Sequence, residues 1–271
     1  MEENNFDSLS QNSEENAENK KKKTLKFILI FIVVFVIAFC GLYFGMQFYY
    51  NNNEPELPST TNTGNYVTSA GSVENPIDFK SLQKQNSDIY AWIKVDGTKV
   101  DYPIVQSNND DSFYLKHSAK DKSWSDSGAI YTEIVNHKTF NDYITVIYGH
   151  NGYGDTMFTT LHKFEKKDFF DSHPEFVIYT TDRKLTYQII SAFKYDDRHI
   201  INSFDFADTR VLADFQSYLQ NPTSAVKNVR EKLDKNIDTD SRIVILSTCI
   251  NNQKSNRYLV CGVLVKDEKT N

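Results

Sequence analysis

A chain of 271 residues with 39% hydrophobic content and 6 prolines can bury one sizeable core or two small ones and is not disordered as a whole. Its formal net charge of -6 gives no general attraction for phosphate, so nucleic acid is not an expected partner. Its 3 cysteines, Cys40, Cys249 and Cys261, are too few for a disulfide scaffold and include no CxxC pair for zinc.

Residues 1–19, MEENNFDSLSQNSEENAEN, are polar and acidic without apolar periodicity, which describes a disordered tail. Then comes FILIFIVVFVIAFCGLYFGM, Phe27 to Met46, a run without a charge that is long enough for a hydrocarbon core roughly 30 Å thick. Lys20 to Lys23 and Lys26 precede the run, and the next charge after it is Glu54. The positive-inside rule therefore predicts a single-pass anchor in the cell membrane, residues 27–46, with residues 1–26 cytoplasmic and everything after residue 50 extracellular. A cleaved signal peptide is the alternative, but the run exceeds the usual h-region and no convincing A-x-A site follows. Cys40 lies inside the run, where it serves as a small apolar residue. Residues 47–74, rich in Asn, Ser, Thr, Gly and Pro, read as a flexible stalk.

The folded domain is expected over residues 75–271. It opens on a short amphipathic helix, Ile77 to Gln85, capped by Asn75 and started by Pro76. Alternating or β-branched runs predict strands at Ala91–Val95, Val100–Val105, Gly128–Tyr131, Tyr143–Tyr148, Glu175–Thr180, Lys184–Phe193, Arg242–Thr248 and Arg257–Val265. That pattern predicts a mainly β fold with added helices, an eight-stranded closed or nearly closed barrel. Short helices are expected at Asp155–His162 and Lys166–Phe170. A longer helical insertion, Thr209 to Lys235, is interrupted by NPTS at Asn221–Ser224 and separates the sixth predicted strand from the seventh.

Cys249 ends RIVILSTC, where a buried strand opens into the polar loop INNQKSN, so its thiol can be approached. A core cysteine, or a Cys249–Cys261 disulfide in an oxidising space, are the alternatives. Cys261, inside YLVCGVLV, reads as core. A cysteine nucleophile needs a base or cation beside it. Of the six histidines, His117, His137, His162, His173 and His199 sit in polar or helical segments and read as solvated. His150 differs, because YITVIYGHNGYGD carries a strand straight into a Gly-bracketed turn and leaves the imidazole at a strand end; a turn histidine without function is the alternative. Arg257 opens the last strand a short loop after Cys249, so neighbouring strands can present both side chains at one barrel rim, where a guanidinium can stabilise an oxyanion. No Asp or Asn stands out as an orienting partner for His150. The acidic residues form no recognisable cation cage, so neither a metal nor another cofactor is expected.

Taken together, LSTC at Leu246–Cys249, YGHN at Tyr148–Asn151 and Arg257 resemble the sortases, membrane-anchored cysteine transpeptidases of Gram-positive bacteria. NSDIYAWIKVDGTKVDYPIVQ, SGAIYTE and YGHNGYGDTMFTTLHKF are similar in order and spacing to class B members, as is the insertion before the cysteine strand. The resemblance spans Ile77 to Val265 and departs from the family pattern directly after the cysteine, at Ile250 and Asn251. It implies that Cys249 attacks the Thr carbonyl of a C-terminal LPxTG- or NPxTx-like sorting signal, that His150 serves as general acid and base, and that Arg257 holds the oxyanion. It also implies a substrate groove lined by Leu115, Ser247 and Thr248. The expected partners are surface or pilin proteins bearing the signal and an amine acceptor, either a cell-wall precursor or a pilin lysine. A plain cysteine endopeptidase and a non-catalytic binding module are the competing readings.

Overall fold

The computed structural model describes residues 3–52, 72–152, 154–250 and 253–271. The chain forms two compact units, Met1–Asn53 and Glu54–Asn271.

In the first unit a single helix, α1, runs Glu3–Asn52. Its stretch Lys20–Met46 is long and apolar enough to cross a membrane. The polar tail, expected to carry no secondary structure, is helical from Glu3 onward. Extending a formed helix costs far less than nucleating one, so an unremarkable polar segment can continue an apolar helix. Most of the expected stalk, residues 53–71, lies outside the described residues.

The second unit opens with α2 (Phe79–Gln85), which buries Phe79 and Leu82. Its cap is Asp78, not Asn75: the Asp78 carboxylate accepts from the Ser81 amide, which satisfies an orphan donor of the first turn. Asn75 stands one turn earlier, where Oδ1 accepts from the Ile77 amide and Nδ2 donates to the Thr180 carbonyl at 2.8 Å. The strands that follow are β1 (Ile89–Lys94), β2 (Asp101–Val105), β3 (Ile130–Thr132) and β4 (Ile144–Tyr148). A 3₁₀ turn (Thr159–Glu165) and α3 (Lys167–Ser172) lead into β5 (Glu175–Thr180) and β6 (Arg183–Asp196). The helix expected at Asp155–His162 starts later, because Asp155 and Met157 hold positive φ angles of 62° and 51°, outside helical space.

After β6 come α4 (Ile200–Ser203), α5 (Thr209–Gln220), β7 (Lys227–Val229), β8 (Ile243–Ile250) and β9 (Gln253–Lys269). The strand order β5-β1-β2-β3-β4-β8-β9-β6 closes through a β5–β6 pairing, so these strands form an eight-stranded barrel, and β7 adds to the free edge of β6. All the expected strands are present. The expected break at Asn221–Ser224 is present, since α5 ends at Gln220 where Asn221 precedes Pro222, which disfavours helical backbone before it. The helical continuation expected to Lys235 is absent, and Lys227–Val229 pairs with β6 instead.

Three apolar clusters explain the strand sequences. Residues from every barrel strand, among them Ile93, Ile104, Ile147, Tyr187, Val244 and Val260, fill the barrel interior. Ile144, Val146, Ile243, Ile245, Leu259 and Cys261 face outward and are covered by Leu212, Phe215 and Leu219 of α5. On another side, α2 covers Ile89, Trp92 and Val105. Successive residues of β8 therefore alternate between two dry environments, which is why the strand reads as a continuous apolar run.

Candidate active site

The same alternation aims the site. In β8 the outward set is Ile243, Ile245, Ser247 and Cys249, and in β9 it is Arg257, Leu259, Cys261 and Val263. Cys249 and Arg257 are direct cross-strand partners. In β4 the outward set is Ile144, Val146 and Tyr148, and His150 follows in the same phase. Strand pairing β4–β8–β9 thus brings the three expected residues together where these strand ends meet, in one cleft with residues of the insertion.

The Cys249 thiol is free and exposed, whereas Cys261 is free and fully buried. No disulfide joins them: Cys261 sits opposite Ile245 and Cys249 opposite Arg257. Burial pushes the Cys261 thiol far above its ordinary range, which makes it inert.

His150 is held by a backbone group. Its Nε2 donates to the Leu115 carbonyl at 2.8 Å, which leaves Nδ1 as the nitrogen that can take and return a proton. Gly149 donates its amide to the Ser247 carbonyl at 3.1 Å, so the turn carrying His150 is bonded to the cysteine strand. A Cβ on Gly149 would stand 2.5 Å from Ile130 Cδ1 and 2.6 Å from the Phe158 ring, so no other residue fits there. Arg257 is half-buried, and its guanidinium donates to the Asn256 carbonyl at 3.1 Å.

A cleft of about 280 Å³ runs from Cys249, His150 and Arg257 along Leu115, Ser247 and Thr248 to Glu133, Tyr148, Arg198 and His199. In its wall the Glu133 carboxylate accepts from His199 Nε2 at 2.7 Å. His199 Nδ1 accepts from the Asn202 amide at 3.2 Å and so caps α4, which ties the insertion to the end of β3. Burial, and next to it the Glu133 charge, push the Tyr131 and Tyr148 hydroxyls well above their ordinary range, so both remain neutral. Among the described residues, no three His, Cys, Asp or Glu side chains converge as metal ligands.

The other histidines are not simply solvated. His117 and His173 stack on Phe113 and Phe169, and His137 bonds Asp142 at 2.6 Å. His162 reaches the Cys249 carbonyl. Glu133, Asn151, His162 and His199 are the site residues that sequence reasoning passed over. Asn151 and Glu133 lie within YGHN and SGAIYTE, and His162 stands at i,i+3 from Glu165, a helical-pair spacing that carried a signal.

A family model described as the sortase domain matches residues 93–265. A sortase B of Listeria monocytogenes is 29% identical over 229 residues, covering 82% of this chain and 89% of the relative. The structure of a Streptococcus pyogenes class B sortase involved in pilus biogenesis is 34% identical, covers 69% of this chain and 98% of that one, and superposes with a TM-score of 0.59. A Bacillus anthracis sortase B structure is 27% identical, covers 82% of this chain and 99% of its own, and gives a TM-score of 0.65. Sequence match and barrel topology agree over residues 93–265, and the chain belongs to the sortase family as a class B-like cysteine transpeptidase.

Proposed function

We propose that Cys249 is the nucleophile, His150 the general acid and base, and Arg257 the oxyanion donor of a transpeptidase that cuts a C-terminal LPxTG- or NPxTx-like sorting signal. The observation that carries this reading is the direct pairing of Cys249 with Arg257 on one face, beside a His150 whose Nε2 is fixed on the Leu115 carbonyl.

The Cys249 thiolate attacks the threonine carbonyl, and its negative charge passes to the carbonyl oxygen, where the Arg257 guanidinium meets it. As the C–N bond breaks, the leaving amine takes the proton from His150 Nδ1, and a thioester remains on Sγ. The incoming amine then gives a proton to the neutral His150 and attacks the thioester, which releases the Cys249 thiolate. Leu115, Ser247 and Thr248 line the groove that receives the signal. The acceptor is the amine of a cell-wall precursor. A pilin lysine is the second reading, favoured by the 34% identity to a class B sortase involved in pilus biogenesis. The apolar run Phe27–Met46, within the membrane-length stretch Lys20–Met46, anchors the enzyme in the membrane, with residues 1–26 cytoplasmic and the barrel outside the cell.

The test incubates the unit Glu54–Asn271 with LPxTG and NPxTx peptides and an amine acceptor, beside Cys249→Ala. A ligated product that disappears in the variant is the expected result. Cleavage with no ligation at any acceptor concentration indicates an endopeptidase, and product formation that survives Cys249→Ala removes the nucleophile assignment.

A further inference from the structure

The carbonyl of the nucleophile itself is held by side chains. Strand β4 ends at Tyr148, paired with Ser247, so the Cys249 carbonyl, which points the same way two residues on, has run past its neighbouring strand. The β8–β9 ladder also loses register between Cys249 and Ile250. A carbonyl at such a point lies beyond the regular ladder that would fix its plane.

Two side chains occupy that place. Asn151 Nδ2 donates to the Cys249 carbonyl at 2.9 Å, and His162 Nε2 lies 3.1 Å from the same oxygen. The His162 ring is held from behind by Glu165 Oε1, 2.7 Å from Nδ1, and stacks on Tyr258 with centroids 4.9 Å apart. An ionised carboxylate only accepts, so Nδ1 carries a proton. In a charged ring, Nε2–H donates directly to the Cys249 carbonyl. In a neutral ring, Nε2 accepts from Asn151 Nδ2 at 3.2 Å, while the second N–H of that amide holds the carbonyl. In either protonation state the carbonyl keeps a donor.

We propose that Asn151 and His162, with His162 braced by Glu165, are positioning residues that clamp the backbone of Cys249 and set its thiol against His150 and Arg257. Asn151 directly follows His150, so one of the bonds ties the acid–base residue's own turn to the nucleophile. Tyr258 directly follows Arg257, so the ring that braces the other bond belongs to the oxyanion donor's strand. The clamp is where the three strand ends meet. It touches no reacting atom, so it acts on the geometry of the chemical step and not on peptide affinity. The proposal rests on the nucleophile assignment made above.

The experiment uses the full chain in detergent micelles and the variants Asn151→Ala, His162→Ala, Glu165→Gln, His162→Gln and the alanine double variant. Small misplacements of reacting groups cost up to about 100-fold in rate. Each alanine change is expected to lower kcat for thioester formation about 10- to 100-fold with KM within about threefold. The double variant is expected to lose less than the product of the two, because both bonds serve one carbonyl. His162→Gln, which keeps an N–H donor, recovers most of the rate, and Glu165→Gln lies between. A purely structural role would move KM and thermal stability together and would give no such recovery.

A second readout needs no turnover. Cys249–Ile250 is the sole Cys-Ile pair in the sequence, so 13C-carbonyl cysteine with 15N-isoleucine gives one NMR cross-peak for that peptide group. The peak is expected to shift in both alanine variants and to return toward the wild-type position in His162→Gln. An unmoved peak, or unchanged kcat in both alanine variants, overturns the clamp. A wild-type chain that forms no thioester sinks the proposed function instead, and the cross-peak then decides the clamp alone.

Discussion

Cys249 and Cys261 lie on the same outward phase of neighbouring strands, yet one is exposed and the other fully buried in the cluster covered by α5. Iodoacetamide at neutral pH is therefore expected to modify Cys249 and leave Cys261 untouched in a Cys40→Ser chain, read as one adduct by intact mass; a second adduct would mean that α5 does not seal its side of the wall. Arg257 permits a sharper test. Arg257→Lys keeps the charge but loses the planar fork, so kcat/KM is expected to fall about 100- to 1,000-fold, the range for removing an oxyanion donor. A lysine variant that matches wild type would reduce Arg257 to a point charge.

The element that carries neither Cys249 nor His150 matters almost as much. The Leu115 carbonyl, which fixes His150, belongs to a short 3₁₀ turn, Phe113–Leu115, seated on the start of β3. Gly128 sits beneath it with φ +57°, and a Cβ there would stand 2.6 Å from the carbonyl oxygens of Leu115 and Tyr114. Gly128→Ala is thus expected to push the acceptor away from His150 and to lower kcat at least about tenfold, with its larger effect on kcat than on KM. The melting temperature of the variant checks the cause, since a displaced acceptor lowers kcat in a chain that unfolds near the wild-type temperature, whereas general destabilisation lowers both. Pro222 does comparable work in the insertion: by ending α5 it releases residues 227–229 to pair with β6.

For the molecule as a whole, one helix and one barrel divide the labour. Among the described residues, the strand pairings that close the barrel and the three apolar clusters lie within residues 72–271. The full chain is expected to stay with membranes through an alkaline carbonate wash, and a chain cut before Glu54 is expected in the soluble fraction with the same kcat on free peptides. Full-length protein in the wash supernatant would argue against the α1 span. The insertion has a structural task at this scale, since α5 covers the outer wall and the Glu133–His199 bond fastens its start beside the cleft.

The sequence by itself determined the strands, the apolar helix of membrane length, and the Cys, His and Arg that the fold brings to one cleft. Each of these is written in local terms: β-branched runs, an uncharged stretch the length of a bilayer, and a Cys, a His and an Arg at strand boundaries. It misplaced the cap of α2 and extended a helix through β7, because neighbouring candidates, Asn75 and Asp78, or a helical period and an edge strand, differ little in local preference. Only the tertiary structure decided which wall the residues share. That depends on the phase of three strands that meet by closure of the barrel, and no one strand encodes it. Nor could the chain's order show that His150 rests on the Leu115 carbonyl, or that Asn151 and His162 hold the carbonyl of Cys249: backbone acceptors carry no residue type, so bonds to them leave no motif.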